Sequence, residues 1–208
     1  MKMNLPNKLT CLRVLMIPFF VLFMILSLAG GENAADIGML RAAALAGEHS
    51  ALRFVVLRWI AFVIFCAASF TDFLDGQIAR RYNLVTDFGK FMDPLADKLL
   101  VCSALILLTA EGSLASWIVI IIIAREFIIS GFRLVAADNG IVIAASWWGK
   151  FKTVSQMALC MILILPKLPL MIGRTPVIVL TTVVVLLTLV SLFDYMRKNI
   201  RVITEGGF

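Results

Sequence analysis

The chain has 208 residues, a formal net charge of +6 and a mean hydropathy of +1.01, with 62% hydrophobic and 15% charged residues. This composition excludes an ordinary soluble domain and a disordered chain, because the apolar residues come in runs of about 20, the length that crosses a hydrocarbon core of roughly 30 Å. The positive balance suits anionic lipid headgroups or a phosphorylated substrate, and no nucleic-acid partner is expected.

In chain order, Met1–Thr10 is a short polar segment with Pro6, suited to the membrane surface. Cys11–Ala29 is the first span, retained and not cleaved as a signal peptide, and kinked or broken near Pro18. Gly30–Arg53 is the longest polar connection, and its middle, Asp36–Leu52, has apolar residues at helical spacing that would lie along the interface. Phe54–Ser69 is the second span, predicted to continue as helix through Arg80, with a break at Tyr82–Thr86. Phe88–Ala110 is the third span, Glu111–Ser113 a turn, and Leu114–Ala136 the fourth span, holding Arg125, Glu126 and Arg133. Trp147–Leu165 is the fifth, Pro166–Pro176 a proline-rich turn, Val177–Met196 the sixth, and Arg197–Phe208 a basic, then polar tail. The expectation is an all-α polytopic membrane protein of six transmembrane helices, one domain over residues 1–208.

An even number of spans puts both termini on one side. Of the 19 Lys and Arg residues, fourteen fall on the side of the termini and the Tyr82–Thr86 break, and Arg41, Arg53, Arg58, Lys167 and Arg174 fall opposite. By the positive-inside rule the termini and the break are cytoplasmic. Cys11, Cys66, Cys102 and Cys160 lie far apart without metal-ligand spacing and read as inert thiols, and His49 as a surface residue.

Chemistry concentrates between Asp72 and Asp97. On a helix, Asp72, Asp75, Gly76 and Ala79 share one stripe, and Gly89, Asp93 and Asp97, each four residues apart, climb one face of the next helix. A tight hairpin turns the stripes together, the glycines permitting close approach. Four carboxylates so gathered need cations, and hard oxygen donors suit Mg²⁺ or Mn²⁺, as a pair of ions. Asp87, beside the break, reads as a cap or turn residue.

The pattern Asp72-x-x-Asp75-Gly76-x-x-Ala79-Arg80-x8-Gly89-x-x-x-Asp93-x-x-x-Asp97 resembles, without departure, the signature of the CDP-alcohol phosphatidyltransferase family. The flanks narrow the resemblance to the bacterial phosphatidylglycerophosphate synthases: Asn4-Leu5-Pro6-Asn7-Lys8-Leu9-Thr10 with Arg13, Arg125-Glu126-Phe127 with Gly131 and Arg133, and Lys150-x-Lys152-Thr153-x-x-Gln156. It covers essentially the whole chain.

What the resemblance implies is an attack by the primary hydroxyl of sn-glycerol 3-phosphate on the β-phosphorus of CDP-diacylglycerol, releasing CMP. Asp72, Asp75 and Asp93 are then ligands of two divalent ions. Asp97 is the base that takes the hydroxyl proton, and a shared ligand. Gly76, Ala79, Arg80 and Gly89 serve CDP-diacylglycerol, although close helix packing explains the glycines equally well and a snorkelling role is open for Arg80. Arg125, Arg133, Lys150 and Lys152 are candidates for the acceptor phosphate, with topology signal as the plainer explanation of each. Glu126 is a partner for Arg125 or another arginine. Asn7, Thr10 and Gln156 are possible lining residues, and Trp147 and Trp148 interfacial anchors. The resemblance also implies a homodimer in the inner or plasma membrane. Two alternatives stand beside it: a sister enzyme taking inositol phosphate, serine or phosphatidylglycerol, and a cation-coupled transporter, against which the lack of an internal repeat counts.

Overall fold

The computed structural model describes residues 5–28, 48–81, 87–138, 146–165 and 173–205. Among them are six helices: α1 Leu5–Leu28, α2 Glu48–Arg81, α3 Asp87–Ala110, α4 Ser116–Asp138, α5 Trp147–Ile164 and α6 Arg174–Glu205. They form two compact units, Met1–Leu114 with Cys160–Leu168, and Ala115–Leu159 with Pro169–Phe208.

In the first unit α1 packs on α2 and α3, and α2 on α3. Along α1 the buried positions are Thr10, Arg13, Ile17, Phe20, Met24 and Ser27; along α2 they are Phe54, Arg58, Ala61, Phe65 and Ala68. Spacings alternate between three and four residues, the repeat that keeps one seam facing a partner helix. Ala61 and Ala68 bring the backbones close, as small residues do between membrane helices, and the Phe20 and Phe65 rings meet at 5.6 Å between centroids. The helices run antiparallel, since Arg13 Nε donates to the Ala68 carbonyl at 3.3 Å while Arg58 reaches Met24.

α3 ends in a turn built on Gly112, whose φ of 82° lies in the left-handed region. Gly112 N–H donates to the Thr109 carbonyl at 2.9 Å and Ser113 N–H to Leu108 at 3.0 Å, which closes the helix in a Schellman motif. The turn seats Glu111 under Arg58, whose Nη2 donates to both carboxylate oxygens at 2.9 and 2.8 Å and to the Leu163 carbonyl of α5 at 3.1 Å. Burial pushes the Glu111 carboxyl up from the ordinary carboxylate range, and the Arg58 charge and hydrogen bonds pull it back.

In the second unit α4 and α6 pack in parallel, with Arg125 beside Ser191 and the Phe132 ring edge-on to Tyr195 at 6.3 Å. Hydroxyls on both units, such as Thr71, Thr109, Thr181 and Thr188, donate to carbonyls of their own helices, so they need no solvent.

Large apolar side chains such as Leu15, Ile120 and Phe193 are exposed along the helices, as befits a surface facing lipid. By length and composition, Asn7–Leu28, Leu52–Asp72 and Arg174–Asn199 are each able to cross a bilayer. The all-α membrane architecture therefore agrees with the sequence reading. α3, α4 and α5 fall short on this measure because they carry charged and polar side chains within their apolar runs.

Three local expectations change. Pro18 lies inside α1 without ending it; lipid offers the backbone no alternative partner, and packing on α2 and α3 supports the turn that lost its N–H. The surface segment over Met1–Thr10 becomes helix from Leu5, Pro6 standing in the first turn where an N–H has no helical acceptor. The helix expected to end at Met196 continues to Glu205, helped by the Lys198–Asp194 pair one turn apart. α2 does run through Arg80 to Arg81, and α3 resumes at Asp87. The interfacial helix expected over Asp36–Leu52 falls largely outside the described residues.

Candidate active site

The aspartates stand on α2 and α3, two helices that pack together with α1. Of the signature, the side chains of Asp72 and Asp97 are described. Those of Asp75, Gly76, Ala79, Arg80, Gly89 and Asp93 lie outside the described residues, although their helical backbone positions are given. On the helical repeat Asp75 follows Asp72 by just under one turn, and Asp97 follows Asp93 by just over one.

Asp72 is organised by a residue 59 positions earlier in the chain. Arg13, fully buried in the α1–α2 seam, places Nη1 at 2.8 Å from Asp72 Oδ1 while its Nε holds the Ala68 carbonyl. The guanidinium is thus anchored to the α2 backbone one turn before Asp72, and the carboxylate stays 39% exposed. Asp97 is half-buried on α3, one residue after buried Ala96. On the same α1 face as Arg13 lie Thr10, buried, and Asn7, half-buried. The donors here are carboxylate oxygens without histidine or cysteine, and Asp72 is both paired with an arginine and accessible. Such a set fits a hard divalent cation.

The basic residues belong to the second unit and divide into two pairs. Arg125 and Lys152 are buried and share one carboxylate: Arg125 Nη1 donates to Glu126 Oε1 at 2.9 Å, and Lys152 Nζ bonds the same oxygen. Arg125 Nε donates to Ser191 Oγ at 3.1 Å, which ties α4 to α6. α5 enters this cluster by its first turn. Ser146 caps it, its Oγ accepting from Gly149 N–H at 3.2 Å and its carbonyl from Lys150 N–H at 3.2 Å. Gly149 has no side chain to obstruct the guanidinium: a Cβ there would stand 3.3 Å from Arg125 Nη2. Two cations against one anion leave the cluster one net positive charge. Arg133 and Lys150 behave differently. Both are exposed, Arg133 lying 6.0 Å from the Tyr195 ring centroid and Lys150 4.4 Å from that of Trp147. Gln156 is buried on α5 one turn beyond Lys152.

A family profile for the CDP-alcohol phosphatidyltransferases matches residues 3–193. The chain belongs to that family. It is 42% identical over 197 residues to a Bacillus subtilis protein named CDP-diacylglycerol–glycerol-3-phosphate 3-phosphatidyltransferase, covering 94% of this chain and 95% of that one. It is 38% identical over 201 residues to a Mycobacterium tuberculosis protein named a probable phosphatidylglycerophosphate synthase, covering 96% and 83%. An Escherichia coli protein with the first name is 39% identical over 163 residues, 76% of this chain and 74% of that one.

Within this CDP-alcohol phosphatidyltransferase, sequence reasoning counted Arg13 as part of a motif without seeing its bond to Asp72. It also missed Ser191 as a partner of Arg125. A serine inside an apolar helix carries no sign of its partner, but an arginine three residues beyond Thr10 in a spanning helix does call for an acid. Glu126 proves to be shared between Arg125 and Lys152.

Proposed function

We propose that this protein transfers the phosphatidyl group of CDP-diacylglycerol to sn-glycerol 3-phosphate, forming phosphatidylglycerophosphate and CMP. The observation that carries the reading is the complete signature from Asp72 to Asp97 in a chain that aligns over 94% of its length with a relative of that name.

The primary hydroxyl of the acceptor bonds to the β-phosphorus, the bond from that phosphorus to the bridging oxygen breaks, and CMP leaves with the bridging oxygen. Asp97 takes the proton as the new bond forms, since a neutral hydroxyl is a weak nucleophile. Asp72, Asp75 and Asp93, with Asp97 as a shared ligand, would hold two divalent ions, Mg²⁺ or Mn²⁺, whose charge neutralises the diphosphate and the departing CMP. Arg13 fixes one oxygen of Asp72 and so limits the directions its carboxylate takes. Gly76, Ala79, Arg80 and Gly89 serve the nucleotide. Arg125 and Lys152 receive the acceptor phosphate, Arg125 held in place by Ser191 and Glu126. Arg133 and Lys150 draw the anion in from the surface, and Asn7 and Thr10 line the nucleotide end.

In this reading all six helices cross the membrane, residues 1–208 act as one family domain, and the protein is a homodimer of the cell membrane. The asymmetry of Lys and Arg supports cytoplasmic termini and a cytoplasmic site.

The test uses purified protein in mixed micelles with CDP-diacylglycerol and labelled glycerol 3-phosphate. Label should enter lipid with stoichiometric CMP release, stop with a chelator, and resume with Mg²⁺ or Mn²⁺. Turnover with inositol phosphate, serine or phosphatidylglycerol in place of glycerol 3-phosphate would reassign the acceptor. Cation flux in proteoliposomes without any CMP release would reassign the class.

A further inference from the structure

Among the described residues of the second unit, two buried side-chain oxygens lack a hydrogen-bond partner, Tyr195 Oη and Gln156 Oε1. They are not equivalent. A phenol can turn its proton, and the Tyr195 ring is already engaged by Phe132 and Arg133. An amide oxygen only accepts, and a buried acceptor left empty is a standing cost to the fold. Gln156 is 3% exposed and sits on α5 four residues beyond Lys152, which is 1% exposed. Four residues of helix separate them by about 6 Å along the axis. The unit therefore presents a cluster of one net positive charge, formed by Arg125, Lys152 and Glu126, and about one turn further along α5 an acceptor waiting for a donor.

A ligand matching both features is a small phosphate ester with a hydroxyl near the phosphate. The acceptor assigned above is such a molecule, and the inference rests on that assignment. Its C1 hydroxyl reacts, its phosphate meets the basic cluster, and its C2 hydroxyl takes no part in bond making. We propose that Gln156 Oε1 accepts the hydrogen bond of the C2 hydroxyl, and that this contact selects a polyol phosphate over analogues altered at C2. An analogue with a methylene at C2 leaves the amide oxygen unpaired. The C2 ketone is rejected harder, because it sets a carbonyl oxygen against an acceptor. Sites that hydrogen-bond a substrate hydroxyl discriminate strongly against molecules lacking it, because their own polar group is left buried and unsatisfied.

The experiment measures kcat/KM with full-length protein in micelles for three acceptors: sn-glycerol 3-phosphate, propane-1,3-diol monophosphate and dihydroxyacetone phosphate. Wild type should favour the first over the second by roughly tenfold or more, with the ketone below both. Gln156→Leu and Gln156→Met should lose roughly that factor on glycerol 3-phosphate alone, so that the first two acceptors become equivalent. Thermal midpoints of both variants should hold or rise, since an unpartnered amide gives way to an apolar side chain of similar size. An equal loss on both acceptors, an unchanged preference, or inactivity of both variants with every acceptor overturns the proposal and makes Gln156 structural. Failure of wild type to use any of the three with CDP-diacylglycerol overturns the assigned reaction itself, an outcome visible before any variant is made.

Discussion

Replacing Arg58 by methionine separates the energetics of the buried ion pair from the chemistry. Arg58 donates twice to Glu111 and once to the Leu163 carbonyl, with both partners of the pair almost fully buried. Arg58→Met leaves a buried carboxylate without its cation, a loss that runs to about 3–5 kcal/mol when one member of a buried pair is removed. The cost should depend on pH. Burial already raises the Glu111 carboxyl, and in the variant nothing from Arg58 pulls it back. A carboxyl raised in the folded state contributes stability that is present below its unfolded pKa and lost as pH rises through its folded one. The variant should therefore lose stability on going from mildly acidic to alkaline buffer, at no more than about 1.4 kcal/mol per pH unit for one proton. The double variant Arg58→Met with Glu111→Leu should recover most of the loss and be flat with pH, because paired apolar groups of similar size are tolerated where a lone charge is not. Asp72 lies fourteen residues further along α2, about 21 Å away, so turnover per folded molecule should stay at the wild-type level. The assay is unfolding of purified protein by SDS titration in mixed micelles, followed by tryptophan fluorescence at two pH values. A single variant as stable as wild type, or a double variant no better than the single at alkaline pH, would refute the reasoning.

Asp97→Asn should lower turnover by about 10²–10⁴-fold while CDP-diacylglycerol binding persists, as measured by filtration or calorimetry. Arg125→Lys forfeits either the Ser191 or the Glu126 contact because an ammonium cannot span both in fork geometry; the KM for glycerol 3-phosphate should rise roughly tenfold with a smaller change in kcat. Ala68→Leu adds volume to a position with no exposed surface in the α1–α2 seam and should cost about 1–3 kcal/mol in the same SDS titration. Leu15→Ala, on an exposed position of α1, should change stability much less in that assay.

The sequence made the end of α2 and both ends of α3 plain, because charge and glycine punctuate them, and the spacing of the aspartates carried the family; the start of α2 at Glu48, six residues before the expected Phe54, was hidden in the polar connection. The contacts of the seam were hidden. In a soluble helix the buried stripe is the apolar one, but lipid is as apolar as a core, so Leu12, Leu15 and Leu22 face outward while Thr10, Arg13 and Ser27 are buried. Hydropathy along α1 thus carries no trace of its packing face; the polar and small residues do. Pairing was hidden for a different reason. Arg58 reads as a topology charge and Glu111 as a turn residue until the fold joins positions 53 residues apart. Glu126 beside Arg125 is legible by adjacency, but Lys152 reaches it from 26 positions away.

The two arginines of the α1–α2 seam set an order of events during synthesis. An uncompensated arginine at the centre of a spanning helix costs about 2.5–3.5 kcal/mol on insertion. Arg13 has no acid until α2 brings Asp72, and Arg58 none until Glu111 emerges, 53 residues later. At about 5–20 residues per second that interval is roughly 3–10 s. Over that interval the α1–α2 hairpin offers the Arg58 guanidinium Met24 but not its acid. Closure of the Gly112 turn ends the wait and turns a hairpin into a three-helix unit.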